Sequence, residues 1–164
     1  MMQSRNVLAR LASRRGVLAA AFVAAMPAPA SAQRATRVSV WRDPNCGCCS
    51  GWVAHLRSEG LAVADQVVAS VAPVRRRLGT PADLLSCHAG EVEGYALEGH
   101  VPAAAIRRLL TERPEGVRGL AVPEMPVGSP GMEVPGAPVD SYDVIAFGSG
   151  AHRPFMRFHG SRPA

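Results

Sequence analysis

The chain has 164 residues, of which 48% are hydrophobic and 19% charged, and its net charge is +5. That length fits one domain, and the composition excludes a disordered chain. The positive charge does not indicate a nucleic-acid partner. Arg5, Arg10, Arg14 and Arg15 all fall in the first 15 residues, and taking these four from the 18 basic residues leaves 14 against 13 acidic ones. The short cluster Arg75, Arg76 and Arg77 has no interleaved aromatics for base stacking and reads as a solvated helix face.

Residues 5–15 are basic and contain no acid, and Gly16 to Met26 is an apolar run. Ala30-Ser31-Ala32 then places small residues where a signal peptidase reads. This layout predicts an export signal over residues 1–32 and a mature domain over 33–164. The apolar run is shorter than the roughly 20 residues of an ordinary membrane span. An uncleaved N-terminal anchor is the other reading of it. Ser13-Arg14-Arg15-Gly16-Val17-Leu18 resembles a twin-arginine signal, with Val17 where Phe is commoner, so the general secretory route stays open. No later stretch reaches spanning length. The mature chain is expected to be exported to the periplasm without membrane insertion.

Arg37 to Trp41 alternates apolar and polar residues, which predicts a strand. Asp43-Pro44-Asn45 breaks it, and a helix is expected over 48–59, with Trp52, Val53 and Leu56 as its apolar stripe and Gly60 as its stop. A strand follows over 61–68, then a short helix over 71–78 with Arg75 to Arg77 turned outward. A helical turn is expected over 81–85. Strands over 88–93 and 95–97 form a hairpin through Glu93-Gly94. Pro102 opens a helix that runs to Arg113. Residues 116–138, rich in Gly and Pro, read as a long rigid loop. Strands are expected over 142–147 and 155–158. This order predicts an α/β fold, a small sheet with helices packed on it, and a thioredoxin-like arrangement is one solution.

The chemistry lies in four cysteines. Three form Cys46-Gly47-Cys48-Cys49, and Cys87 follows 38 residues after the last of them. Two structural disulfides would use Cys87 once and close a tiny loop inside the cluster, which makes a poor staple. Cys46 and Cys49 have C-x-x-C spacing at a strand-to-helix junction, where a helix N-terminus favours thiolate and redox chemistry. That chemistry leaves Cys48 and Cys87 spare. A soft metal uses all four. Adjacent Cys48 and Cys49 suit one tetrahedral zinc poorly, whereas thiolates can bridge several copper(I) ions. A zinc-stabilised interaction module is a further alternative. Met125 and Met132 bracket a Gly/Pro-rich stretch and offer soft thioether sulfur. His88 is a candidate only if a bulge or turn lets it share a face with Cys87, since neighbours on a strand point to opposite faces. His55 is expected to face solvent, and His100, His152 and His159 stay outside the candidate set.

The stretch from Val40 to Trp52, including Cys46-Gly47-Cys48-Cys49, resembles the opening of the CopG-type copper-resistance proteins, long filed as a domain of unknown function. Ser86-Cys87-His88, Glu98-Gly99-His100-Val101-Pro102, Gly119 to Pro123, Met125-Pro126 and Gly128 to Met132 resemble the same family in the same order. The likeness spans residues 38–147. It implies a thioredoxin-like fold and periplasmic copper handling. Copper(I) would be held by Cys46, Cys48, Cys49 and Cys87, with Met125, Met132 and His88 as auxiliaries. Several ions per chain are expected, with periplasmic copper chaperones or pumps as partners. A thiol or copper oxidoreductase is the alternative activity.

Overall fold

A computed structural model describes residues 35–164. The export signal expected over residues 1–32 lies outside the described residues. The first strand, β1 (Arg37–Arg42), buries Val38 and Val40 completely, as its alternation requires. Helix α1 (Gly47–Ser58) follows and buries Cys49, Trp52, Val53 and Leu56 along one stripe. Gly60 turns the chain at φ 80°, and β2 (Ala62–Val67) pairs parallel with β1. Helix α2 (Ala72–Leu78) ends on Gly79 in the left-handed conformation. A 3-10 turn over Ala82–Leu84 leads to β3 (His88–Val92) and β4 (Tyr95–Gly99). Their hairpin turns on Glu93 and Gly94, both at positive φ, which matches the right-handed twist of paired strands. Helix α3 (Ala103–Glu112) precedes β5 (Val117–Val122), β6 (Ser141–Gly148), β7 (Arg153–His159) and the short β8 (Arg162–Pro163).

These strands form one eight-stranded sheet in the order β2-β1-β3-β4-β5-β6-β7-β8. The β1–β2 and β4–β5 pairs are parallel, and the other pairs antiparallel. A parallel pair needs a crossover, and α1 and α3 supply the two crossovers. The α/β class is therefore as expected, but the sheet is larger than the small one anticipated. Strand β5 lies inside the stretch expected to be loop. Its Gly119 sits where a side chain would strike the Ala96 carbonyl and the Phe147 ring. Leu120, Ala121 and Val122 are all fully buried, so the segment shows no alternation to read.

The main core joins Trp52 and Leu56 of α1 to Ile106 and Leu109 of α3 over Val38, Val40, Leu97 and Leu120. A smaller core of Leu78, Leu84, Ala96, Ala121 and Phe147 packs the alternate sheet positions. Among the described residues, no helix is long and apolar enough to cross a membrane.

His55 does not simply face solvent. Its Nε2 accepts the Ala103 backbone N–H at 3.2 Å, so α1 caps an orphan donor at the start of α3. Burial lowers its pKa below 6.5 and Arg107 pushes the same way, while Glu59 and Glu133 oppose them. The folded state thus favours neutral His55, and the stability it contributes is present above pH 6.5 and lost as pH falls below it. The gap in thermal midpoint between the native chain and H55Q is expected to be smaller at about pH 5 than at about pH 7.5. Thermal unfolding of both proteins across that range measures it.

Candidate metal centre

The strand-to-helix junction builds the first half of the site. After β1, Asp43 accepts the Asn45 N–H at 2.8 Å through its carboxylate and the Cys46 N–H at 3.2 Å through its carbonyl. This turn sets Cys46 as the residue that caps α1. Cys48 and Cys49 then lie in the first helical turn. Cys49 faces the core and is fully buried, whereas Cys46 and Cys48 are half-buried.

The second half comes from the segment entering β3. Glu98 on β4 is fully buried. It accepts the Ser86 N–H at 2.7 Å and two bonds from the Arg75 guanidinium at 2.6 and 3.1 Å. Arg75 also donates to the Ser86 carbonyl at 2.6 Å. Arg75 was expected to point outward with Arg76 and Arg77. It turns inward instead, because a buried carboxylate needs a paired charge. Both backbone polar groups of Ser86 are thus pinned, and Cys87 follows immediately.

The four sulfurs converge. Cys46, Cys48, Cys49 and Cys87 place their Sγ atoms within 4.8 Å of one another. Cys48 Sγ lies 3.5 Å from Cys46 Sγ and 4.0 Å from Cys87 Sγ. Cys46 and Cys49 are joined as a disulfide, and Cys48 and Cys87 are free. The expectation of four free thiols is therefore corrected for this state: the C-x-x-C pair is oxidised, and all four can act as ligands only after its reduction.

Two histidines complete the group. Cys87 sits in a bend just ahead of β3, so the strand rule that would send His88 to the opposite face does not apply. His88 Nδ1 is 3.2 Å from Cys87 Sγ, and His100 Nε2 is 3.3 Å from it. Cys87, His88 and His100 form a second cluster able to hold a metal ion. His100 Nδ1 lies 2.7 Å from the Pro130 carbonyl, which can only accept, so this nitrogen carries the proton and Nε2 keeps its lone pair toward the sulfur. His88 stacks on Trp52 with ring centroids 4.3 Å apart, and its Nε2 is buried without a partner. Burial, helped by His100, pushes His88 down to about 3, and burial also lowers His100. Burial and the neighbouring Cys48 push the Cys87 thiol up to about 12. Both imidazoles are therefore neutral donors.

The methionines divide. Gly131 packs so tightly on the start of α1 that an added Cβ would lie 2.7 Å from the Cys48 carbonyl and 2.4 Å from the Trp52 nitrogen. Met132, next in the chain, is half-buried beside that contact. Met125 is 38% exposed and lines a surface cavity with Asp140, Ser141 and Tyr142, without a cysteine. Sequence reasoning missed His100, whose only signal was its place in Gly99-His100-Val101-Pro102. Four sulfurs, two neutral imidazoles and an orphaned imidazole nitrogen make a soft donor set that fits copper(I).

Two solved structures titled copper resistance protein CopG, forms 1 and 2, share 42% identity with this chain and superpose with a TM-score of 0.70. The match covers 76–77% of this chain and 98–99% of theirs. The chain belongs to the CopG-type copper-resistance family. Residues 84–132 also match a family described as "Protein of unknown function, DUF411". That span holds Cys87, His88, His100, Met125 and Met132 of this CopG-type chain. No curated protein sequence matches it.

The clamp on Ser86 should be both structural and local. E98A leaves Arg75 without its buried partner and is expected to cost about 2–4 kcal/mol of stability. The same variant should speed alkylation of Cys87, because the segment before it loses the Glu98 anchor and the carboxylate that positions Arg75. Urea unfolding and timed thiol labelling read the two effects.

Proposed function

We propose that this protein binds copper(I) in the periplasm and serves copper tolerance. The observation that carries the reading is the arrival of the Cys87 sulfur among the three sulfurs at the start of α1, although it lies 38 positions after Cys49. In the reduced protein Cys46, Cys48, Cys49 and Cys87 are the ligands. Their sulfurs are close enough to bridge several ions. His88 and His100 add neutral nitrogen donors at Cys87. Met132 adds a thioether beside the Gly131 contact, and Met125 stands further out as an exposed one. The strand order β2-β1-β3-β4 with its crossover helices supports a thioredoxin-like core, extended by β5 to β8. Residues 1–32 act as the export signal, and residues 33–164 as the working domain. Copper ions are the cargo, received from or passed to periplasmic copper chaperones or pumps.

The Cys46–Cys49 disulfide favours a second reading, a thiol or copper oxidoreductase, because it places a C-x-x-C bridge at a helix N-terminus. The two readings part at Cys48. The reduced mature protein, loaded with copper(I) without oxygen, is expected to bind more than one copper per chain, and C48S is expected to bind less. Elemental analysis with thiol counting measures both. No bound copper together with brisk insulin reduction would select the oxidoreductase. One zinc per chain that copper(I) does not displace would select a zinc-stabilised module.

A further inference from the structure

Three of the sulfurs form a tight triangle, which has a consequence for the two free thiols. Cys48 Sγ is close to both Cys46, already in a disulfide, and Cys87, which is free. Cys48 and Cys87 are half-buried, and they are the two free thiols among the described residues. Each is attached to a differently anchored element: Cys48 to the first turn of α1, and Cys87 to the bend that Arg75 and Glu98 hold through Ser86. Their sulfurs are 4.0 Å apart, a gap that side-chain rotation and small backbone shifts can close.

We propose that the four cysteines work as two coupled dithiol pairs, and that a second disulfide, Cys48–Cys87, closes when the protein is fully oxidised. The chemistry balances with a small-molecule disulfide as oxidant. Cys48, at the N-terminal end of α1 where negative charge is favoured, attacks one sulfur of that disulfide as a thiolate and expels the other as a thiolate. Cys87 gives up its proton to the small thiolate just expelled. The Cys87 sulfur then attacks Cys48 Sγ, forms the Cys48–Cys87 bond and releases the second small thiolate. The two released thiolates take up the two protons. Two protein thiols are oxidised, and one small disulfide is reduced to two thiols.

The same proximity allows the bridge to move without any oxidant. Cys48 attacks Cys46 at 3.5 Å and frees Cys49. Cys87 then attacks Cys48 and frees Cys46. The disulfide has migrated from the C-x-x-C pair to Cys48–Cys87, and the number of thiols is unchanged. If the cysteines are the copper(I) ligands proposed above, thiol oxidation removes them two at a time: four in the reduced protein, two after the first disulfide and none after the second. Metal capacity would then follow the thiol state in two steps.

The test uses metal-free mature protein in chelator and does not depend on copper. Reduced protein is equilibrated across a series of reduced-to-oxidised glutathione ratios, quenched with iodoacetamide and digested with trypsin. Cleavage after arginine puts Cys46, Cys48 and Cys49 together in Asp43–Arg57, and Cys87 alone in Leu78–Arg107. Mild oxidation should close a bridge within the first peptide. Stronger oxidation should join the two peptides by a disulfide and leave no alkylated cysteine. The joined species should be absent in C48S and in C87S, with far-UV circular dichroism showing that both variants fold. Persistence of carboxamidomethyl groups on Cys48 and Cys87 at the most oxidising ratio overturns the proposal. So does a joined species that survives in C48S, since Cys87 would then be pairing elsewhere. Failure here leaves the copper stoichiometry of the reduced protein untouched, so the two ideas fail separately.

Discussion

The site depends on one buried ion pair. Glu98 has no exposed surface, and a lone carboxylate in that position would be costly. Arg75 meets it with two bonds, and each group also bonds the backbone of Ser86. Such a pair is weak evidence of net stability, because desolvation offsets much of the attraction. Its contribution is geometric. It ties α2, β4 and the chain entering β3 at one point, and that point is one residue from Cys87. Without it the sulfur would belong to a connecting segment with few other anchors. With it, the sulfur is held against the first turn of α1.

Glycine does the complementary work of letting backbones approach. An added Cβ at Gly51 would come within 2.8 Å of the Gly131 Cα, and one at Gly131 would strike the start of α1. The loop after β5 is thereby pressed onto the helix turn that carries Cys48. Through Pro130 the same loop fixes the proton on His100. At Gly99, φ is 70° and an added Cβ would meet the Val122 carbonyl at 2.5 Å, so β4 must end in glycine for His100 to turn toward Cys87. A loop that seems remote from the cysteines in sequence thus sets both the cover and the proton position of the site.

Local pattern made much of this legible. Period-two alternation marks β1, the Trp52–Val53–Leu56 stripe marks α1, and Glu93-Gly94 marks the hairpin. The cysteine cluster was readable because clustered thiols have few structural uses. What was not legible depends on tertiary context. Strand β5 is buried without alternation and interrupted by Gly119, so it resembles its Gly/Pro-rich surroundings. Arg75 sits in a run of three arginines, and nothing local distinguishes the one that finds a buried acid. His88 was judged by a strand rule that begins one residue too late to govern Cys87. His100 becomes a site residue only because β4 runs antiparallel to β3 and ends beside it.

The cluster also poses an electrostatic problem whose solutions organise the chemistry. Two unit charges 4 Å apart in a partly buried setting repel by about 4 kcal/mol. Four sulfurs within 4.8 Å of one another therefore cannot all be thiolates unless something cancels their charge. Arg42 and Arg75 are already paired with Asp65 and Glu98 and both nearby histidines are neutral, which leaves chiefly the N-terminus of α1. Three remedies remain: protonation, which is what Cys87 shows beside Cys48; oxidation, which removes two thiols at a time, as in Cys46–Cys49; or binding of soft cations, each of which brings the missing positive charge. Metal and disulfide are thus competing answers to the same crowding. A site built this way has its affinity for a soft metal and its thiol redox state coupled from the outset. Neutral imidazoles at Cys87 strengthen the coupling, because they can ligate a metal ion but bring no charge of their own.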